Sequence, residues 1–162
     1  MNRAINAAHA DARLMMEAVG QLWADHLTDQ ARDLTDLLAA QHPDRPAVFI
    51  LRGFVHLELD EPAQAERDFA RALELNPTNE LARYKHGCTL VQLRRYDEAR
   101  AELKTMLQHT AYAFPAHYAL AQIALAQGDT PDARVELKAY LQQAATNAPD
   151  YHHALDQLAG LR

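Results

Sequence analysis

Apolar residues recur along most of the chain at intervals of three and four, which is the pattern of amphipathic helices. Short polar or glycine-containing turns separate these stretches, for example at 60–61, 94–95 and 128–129. Prolines stand where a helix's first turn tolerates them, at Pro46, Pro62 and Pro149. The predicted helices are Ala12–Asp25, Thr28–Gln41, Pro46–Leu59, Pro62–Leu75, Glu80–Leu93, Tyr96–Gln108, Phe114–Ala126, Thr130–Ala145 and Pro149–Leu161.

Composition supports an all-α fold. The 162 residues include 32 alanines and 23 leucines but only 8 valines and isoleucines together. Strands favour β-branched side chains, so this balance argues against a β-rich fold. With 49% hydrophobic residues, the chain has enough apolar side chains for a packed core.

The chain also repeats itself with a period of 34 residues. Three similar segments have an alanine at the same place, at Ala65, Ala99 and Ala133. Gly53 and Gly87 are also 34 residues apart, as are Pro43 and Pro77. Small residues at fixed points allow two antiparallel helices to approach closely, because no bulky side chain separates their backbones.

This period resembles the tetratricopeptide repeat, a helix–turn–helix unit. The best copy, 46–79, has Gly53, Ala65, Phe69, Ala72 and Pro77 at the family's characteristic positions. The resemblance implies a right-handed solenoid of repeats with a C-terminal capping helix. The expected parts are a degenerate N-terminal repeat at 1–45, repeats at 46–79, 80–113 and 114–147, and the capping helix at 148–162.

In this family the first helix of each repeat lines a concave groove, mainly through its second, fifth, ninth and twelfth residues. Carried over by position, the resemblance predicts a mainly apolar partner-binding groove formed by Ile50, Phe54, Leu57, Tyr84, Cys88, Val91, Tyr118, Gln122 and Leu125. An exposed apolar stripe of this kind usually marks an interaction site. The alternative is that the N-terminal repeat or the C-terminal helix folds over the stripe.

Two narrower resemblances separate possible partners. Some tetratricopeptide proteins hold a C-terminal carboxylate with Lys, Asn and Arg, but here the matching positions are Ile50, Phe54, Tyr84 and Cys88, so such a clamp is not expected. The acidic charge, three repeats and capping helix resemble the chaperones of type III secretion translocators. That resemblance implies an apolar groove that keeps a hydrophobic client soluble.

Charge and cysteine content exclude several function classes. The formal net charge of −6 disfavours nucleic acid as a partner. A single cysteine, Cys88, provides neither a disulfide framework nor a zinc motif. No stretch has the roughly 20 apolar residues of a membrane span, and the N-terminus lacks a secretion signal. We therefore expect a cytoplasmic, bacterial protein without membrane insertion.

The nine histidines do not form a recognisable metal site. None of them is paired at the i,i+3 or i,i+4 spacing that directs two imidazoles to one ion, so we interpret them as solvated or capping residues and expect no cofactor and no metal. The sequence also lacks a phosphate-binding loop and a nucleophile elbow, which argues against an enzyme.

The resulting prediction is a non-enzymatic protein–protein interaction module that binds an extended or helical protein segment in the groove, as an adaptor or chaperone in bacterial complex assembly. Three alternatives stay open: a type III secretion chaperone, a self-associating scaffold, and a metal-dependent enzyme. Self-association would use the N-terminal segment, with Met15, Met16 and Trp23, as a homodimer contact.

Overall fold

In a computed structural model of the chain, residues 17–22, 25, 27–108 and 111–161 are described, and every regular element among them is an α-helix. Residues 17–22 are helical. The helices that follow are α1 (Thr28–Gln41), α2 (Pro46–Glu58), α3 (Pro62–Leu75), α4 (Glu80–Gln92), α5 (Tyr96–Lys104), α6 (Ala113–Gln127), α7 (Thr130–Gln143) and α8 (Tyr151–Gly160). The prediction of an all-α fold is confirmed.

Three of the predicted helix boundaries were wrong by two residues or more. Helix α7 ends at Gln143 and not at Ala145. Helix α5 ends at Lys104 and not at Gln108, because the Met106 N–H donates to the carbonyl three residues earlier and tightens the chain into a turn. Helix α8 begins at Tyr151, so Pro149 lies in the preceding turn and not in the first turn of the helix. Of the predicted first helix, residues 12–16, 23 and 24 lie outside the described residues, and Asp25 is in a turn.

The chain forms two compact units, one ending at Ala82 and the other beginning at Arg83. In unit 1, α2 packs against both α1 and α3. In unit 2, α6 packs against α5 and α7, and α8 packs against α7. Each of these packed pairs consists of helices that are neighbours in sequence, as short connections between antiparallel helices require.

The turn within each helix pair repeats the same backbone geometry every 34 residues. Asp60, Arg94 and Gly128 have positive φ angles of 57°, 59° and 77°. The following N–H donates to the carbonyl five residues before it: Glu61 to His56 at 2.8 Å, Arg95 to Leu90 at 2.9 Å, and Asp129 to Ala124 at 2.9 Å. This is the Schellman pattern, which satisfies carbonyl groups left open at a helix end.

The two helices of a pair approach each other where the sequence has a small residue. A Cβ atom on Gly53 would lie 2.8 Å from the Phe69 ring, and one on Gly87 would lie 2.9 Å from Leu103. Phe69 and Leu103 are fully buried and occupy the same register position. Glycine is therefore required for this close approach, as the repeat spacing had indicated.

Each unit has its own apolar core. In unit 1, buried side chains such as Leu38, Val48 and Phe69 form one cluster. In unit 2, one cluster contains Leu103 and Leu120, and a second contains Tyr140. Phe54 on α2, Tyr84 on α4 and Tyr118 on α6 pack against these clusters and are only partly buried.

Candidate functional site

All nine predicted groove residues are among the described residues, and they are mostly half-buried. Ile50 is the most buried of them in unit 1, with 8% of its surface exposed. The others are partly accessible, which suits side chains that line a depression. Each unit contains one part of the predicted set.

In unit 1, an apolar pocket of about 230 Å³ is lined by Ala47, Ile50, Leu51, Phe54 and Leu81, and we call it the N-terminal patch. The Phe54 ring meets the Phe69 ring edge-on, with centroids 5.7 Å apart, so the buried ring fixes the exposed one. Leu57 packs against the unit 1 core and is not part of the patch lining. Two of the three predicted unit 1 residues therefore lie together.

In unit 2, a cavity of about 220 Å³ collects five of the six predicted residues, and we call it the Cys88 cavity. Its lining consists of Tyr84, Cys88, Val91, Tyr118, Ala119, Gln122 and Asp150. The i,i+4 and i,i+7 spacings bring Tyr84, Cys88 and Val91 to one face of α4. Leu125 is half-buried but lies outside this lining.

A second, more enclosed cavity of about 210 Å³ adjoins the first, and we call it the aromatic cavity. Its lining consists of Tyr84, Phe114, Pro115, Tyr118, Tyr140, Ala148, Pro149 and Asp150. The Tyr140 ring lies 5.1 Å from the Tyr118 ring and 6.0 Å from the Phe114 ring, measured between centroids. Tyr84, Tyr118 and Asp150 line both cavities, so these three side chains divide one from the other.

The tyrosines of the aromatic cavity remain neutral well beyond physiological pH. Burial raises the pKa of Tyr84 far above its usual range, and the nearby Cys88 and Asp150 act in the same direction. Burial and the negative charge of Asp150 likewise raise the pKa values of Tyr118 and Tyr140. The carboxylate of Asp150 therefore acts electrostatically on all three phenols.

The thiol of Cys88 is held in its protonated form. Burial raises its pKa, and a hydrogen bond with the Tyr84 hydroxyl acts in the opposite direction. A protonated, largely buried thiol is a poor nucleophile, because the thiolate is the reactive species. Cys88 therefore contributes to the cavity wall as a small apolar side chain.

The C-terminal segment contributes directly to the site. The side-chain amides of Gln122 and Gln157 exchange hydrogen bonds of 3.0 and 3.3 Å, which joins α8 to the groove face of α6. Ala148, Pro149 and Asp150, just before α8, line the aromatic cavity. The segment thus forms one wall and leaves the Cys88 cavity open.

Sequence reasoning missed several of the lining residues, among them Phe114, Tyr140 and Asp150. Tyr140 lies on the second helix of its pair, where the repeat pattern predicts core, and it is indeed 2% exposed. Asp150 was assigned to the last helix, and its position became apparent only with the turn that precedes α8. The clustering of tyrosine in the second half of the chain was the available signal.

The interpretation of the histidines as solvated or capping was wrong for at least three of them, because the side chains of His56, His86 and His117 are only 11%, 13% and 17% exposed. The Nδ1 of His56 lies 2.7 Å from a Glu61 carboxylate oxygen. The Nδ1 of His117 lies 2.6 Å from a Glu136 oxygen. Glu136 has the same register position as Asp68, which binds Arg52 at 2.6 Å, so these pairs join the two helices of a repeat.

His9, His26 and His109 lie outside the described residues, as do Met15, Met16 and Trp23. Within the ranges that the structure describes, no group of three or more His, Cys, Asp or Glu side chains could hold a metal ion. Nor is any helix there both long enough and apolar enough to cross a bilayer.

Two family models match the chain, and both describe the tetratricopeptide repeat. One covers residues 46–79 and the other covers residues 90–158. Together they span well over half of the sequence.

Solved structures of helical-repeat proteins superimpose closely. MamA (residues 41 to the end) from Desulfovibrio magneticus RS-1 gives a TM-score of 0.81 at 16% identity, covering 93% of this chain and 82% of that one. YrrB, described as a tetratricopeptide protein with an unusual peptide-binding site, gives a TM-score of 0.78 at 20% identity, covering 96% of this chain and 78% of that one. The first tetratricopeptide domain of Spaghetti (RPAP3), bound to an HSP90 peptide, gives a TM-score of 0.66 at 23% identity, covering 72% of this chain and 95% of that one. Identities this low establish the fold alone.

One curated relative is a tetratricopeptide repeat and J domain-containing co-chaperone, DNJ1, from Cryptococcus neoformans var. grubii. It is 30% identical over 92 residues, which is 56% of this chain. The match spans only 18% of that relative's length.

Proposed function

Because the chain belongs to the tetratricopeptide-repeat family, we propose that it is a non-enzymatic protein–protein interaction module. It holds an extended or helical segment of a partner protein against the groove residues of α2, α4 and α6. In the cell it acts as an adaptor or chaperone in the assembly of a bacterial protein complex, in the cytoplasm. Peptide binding by YrrB and by the Spaghetti domain supports this choice of ligand class.

The observation that carries the proposal is the Cys88 cavity. Tyr84, Cys88, Val91, Tyr118 and Gln122 line one open cavity, and each of them is only partly buried. Burying one aromatic or aliphatic partner side chain there is worth about 1.5–3 kcal/mol. A few such anchors give an affinity in the range of about 1 μM, because each 1.4 kcal/mol is roughly a tenfold change in Kd.

The co-chaperone relative favours a chaperone role over a passive scaffold, since a chaperone binds unfolded segments of other chains. A chaperone also needs an apolar surface that is accessible before its client arrives. The N-terminal patch meets this requirement in unit 1, where an apolar pocket is lined by Ile50, Phe54 and Leu81.

The test is selection of binders from a displayed library of random 12-residue peptides against the purified chain. Affinities of synthetic selected peptides are then measured for the wild type and for Val91→Glu, which places a charge in the Cys88 cavity. The matched control is Val135→Glu on α7, the same change at a side chain that is already 63% exposed. Circular dichroism establishes that both variants are folded.

Peptides that bind the wild type and Val135→Glu, but not Val91→Glu, would support the proposal. Equal binding by all three proteins would overturn the site. If no peptides are selected and light scattering shows concentration-dependent oligomers, a self-associating scaffold replaces the proposed function.

A further inference from the structure

Asp150, an exposed acidic residue, contributes to the lining of the aromatic cavity. In the part of the chain that the structure describes, Asp150 forms no ion pair. Among the described residues that line the two cavities, Asp150 is the one with a charged side chain. Lys85 lies nearby, with its Nζ 5.8 Å from the centroid of the Tyr84 ring, but it lines neither cavity. The electrostatic preference inside the cavity is therefore for a positive charge.

The rings around Asp150 add to this preference. Tyr84, Tyr118, Tyr140 and Phe114 line the cavity, and the face of an aromatic ring carries partial negative charge that attracts ammonium and guanidinium groups. The phenols stay neutral at physiological pH, so the ring faces keep this partial charge; the Tyr84 ring also stacks on the Tyr112 ring, with centroids 5.1 Å apart. The contact between Lys85 and the Tyr84 ring is an example within the molecule.

The cavity also has the size of one long side chain. Its volume of about 210 Å³ equals that of about seven water molecules at roughly 30 Å³ each, and an arginine side chain has about that many heavy atoms. Pro115 and Pro149 complete an apolar wall that suits the methylene stem of such a side chain.

We propose that the aromatic cavity receives an arginine or lysine side chain of the bound segment, with the carboxylate of Asp150 pairing the cationic group and the tyrosine rings enclosing it. This inference rests on the proposed function and specifies the partner: a segment with apolar residues and one basic residue in fixed register. The positive charge of that basic residue is opposite in sign to the net −6 of the chain.

The experiment repeats the peptide selection with three forms of the full chain: wild type, Asp150→Asn and Asp156→Asn. Asp156 is exposed on α8 and lines neither cavity, so its variant makes the same change in net charge at a neighbouring position. We expect the wild type and Asp156→Asn to enrich arginine or lysine at one position. We expect Asp150→Asn to lose that enrichment but to keep the apolar positions.

Synthetic peptides then measure the effect. A wild-type-selected peptide is compared with a copy in which citrulline replaces its arginine, or norleucine its lysine. The neutral copy should bind the wild type about tenfold more weakly, but differ by less than about twofold on Asp150→Asn. Tyr118→Leu, which removes a ring but keeps the acid, should reduce the preference on its own.

The outcomes distinguish a failure of this inference from a failure of the proposed function. If peptides are selected but basic residues are not enriched, or if Asp150→Asn enriches them as well as the wild type does, the inference is overturned and the proposed function stands. A neutral copy that binds as tightly as the charged one has the same consequence. If even the wild type selects no peptide, the proposed function fails and the inference fails with it.

Discussion

The two units use the same repeat register but present different surfaces. All six tyrosines and the cysteine follow Arg83, whereas three of the four phenylalanines precede it. The N-terminal patch is lined only by apolar side chains among the described residues, such as Ile50 and Phe54. The aromatic cavity of unit 2 combines hydroxyl-bearing rings with a carboxylate, Asp150.

This difference separates what the repeat determines from what the individual residues determine. The register fixes which positions line the pockets, as Phe54 and Cys88 do at the ninth position of their helices. The side chain at each position then sets the chemistry of the surface. On the proposed function, the N-terminal patch would select for apolar character and shape, whereas the aromatic cavity would also select for charge.

The largest effect is expected from Phe54→Glu in the N-terminal patch. A carboxylate there loses the burial of a phenylalanine ring by the partner, so the Kd of selected peptides should rise by about 100-fold. Phe54→Leu keeps an apolar side chain and should stay within about threefold of the wild type. Fluorescence anisotropy with labelled peptides measures both, and equal affinities for the wild type and Phe54→Glu would confine binding to unit 2.

The second prediction concerns how each unit packs its helix pair. Gly53→Ala forces a Cβ against the buried Phe69 ring and should lower the free energy of unfolding by about 2 kcal/mol, as overpacking does. Ala121 and Leu137 occupy the same two register positions in unit 2, and both are fully buried. The double variant Gly53→Ala, Phe69→Leu reproduces that combination in unit 1.

Urea unfolding of the single and double variants measures the coupling between these positions. We expect the double variant to be more stable than Gly53→Ala alone, because leucine leaves room for the added methyl group. Additive losses would show that the two units do not share one packing rule.

The repeat register of the fold could be predicted from the sequence. Only part of the candidate site could be predicted in the same way. The 34-residue spacing of Gly53 and Gly87 identified the close approaches, because it reflects local packing within a helix pair. Asp150 and Tyr140 could not be assigned to a cavity in this way, because their positions depend on how the turn before α8 meets α6 and α7. Short-range periodicity carries no information on such a tertiary contact.

The third prediction compares the turns. Arg94 has φ 59°, a conformation that glycine adopts more easily, so Arg94→Gly should raise the free energy of unfolding by about 0.5–1 kcal/mol. Gly128→Ala should lower it by about 1 kcal/mol, and the added Cβ meets no atom within 4 Å, so the loss is conformational alone.

Asp60→Gly tests the same turn in unit 1. The gain should be smaller than for Arg94→Gly, because aspartate tolerates a positive φ better than arginine does. Thermal unfolding of the three variants gives the ranking. A loss of stability in Arg94→Gly would mean that the left-handed conformation of Arg94 does not lower the stability of the chain.

The smallest expected effect is a dependence of unit 2 on alkaline pH. Burial raises the pKa values of Tyr84 and Cys88, so the folded unit keeps protons that the unfolded chain releases near pH 9–10. The stability of unit 2 is therefore fully present below that range and falls as the pH rises through it, by less than about 1 kcal/mol up to pH 9. Tyrosine circular dichroism follows unit 2 selectively, because every tyrosine lies there. The double variant Tyr84→Phe, Cys88→Ala should flatten the pH dependence of stability, while the control Tyr151→Phe should keep it. Equal slopes in the wild type and both variants would mean that neither Tyr84 nor Cys88 is buried as described.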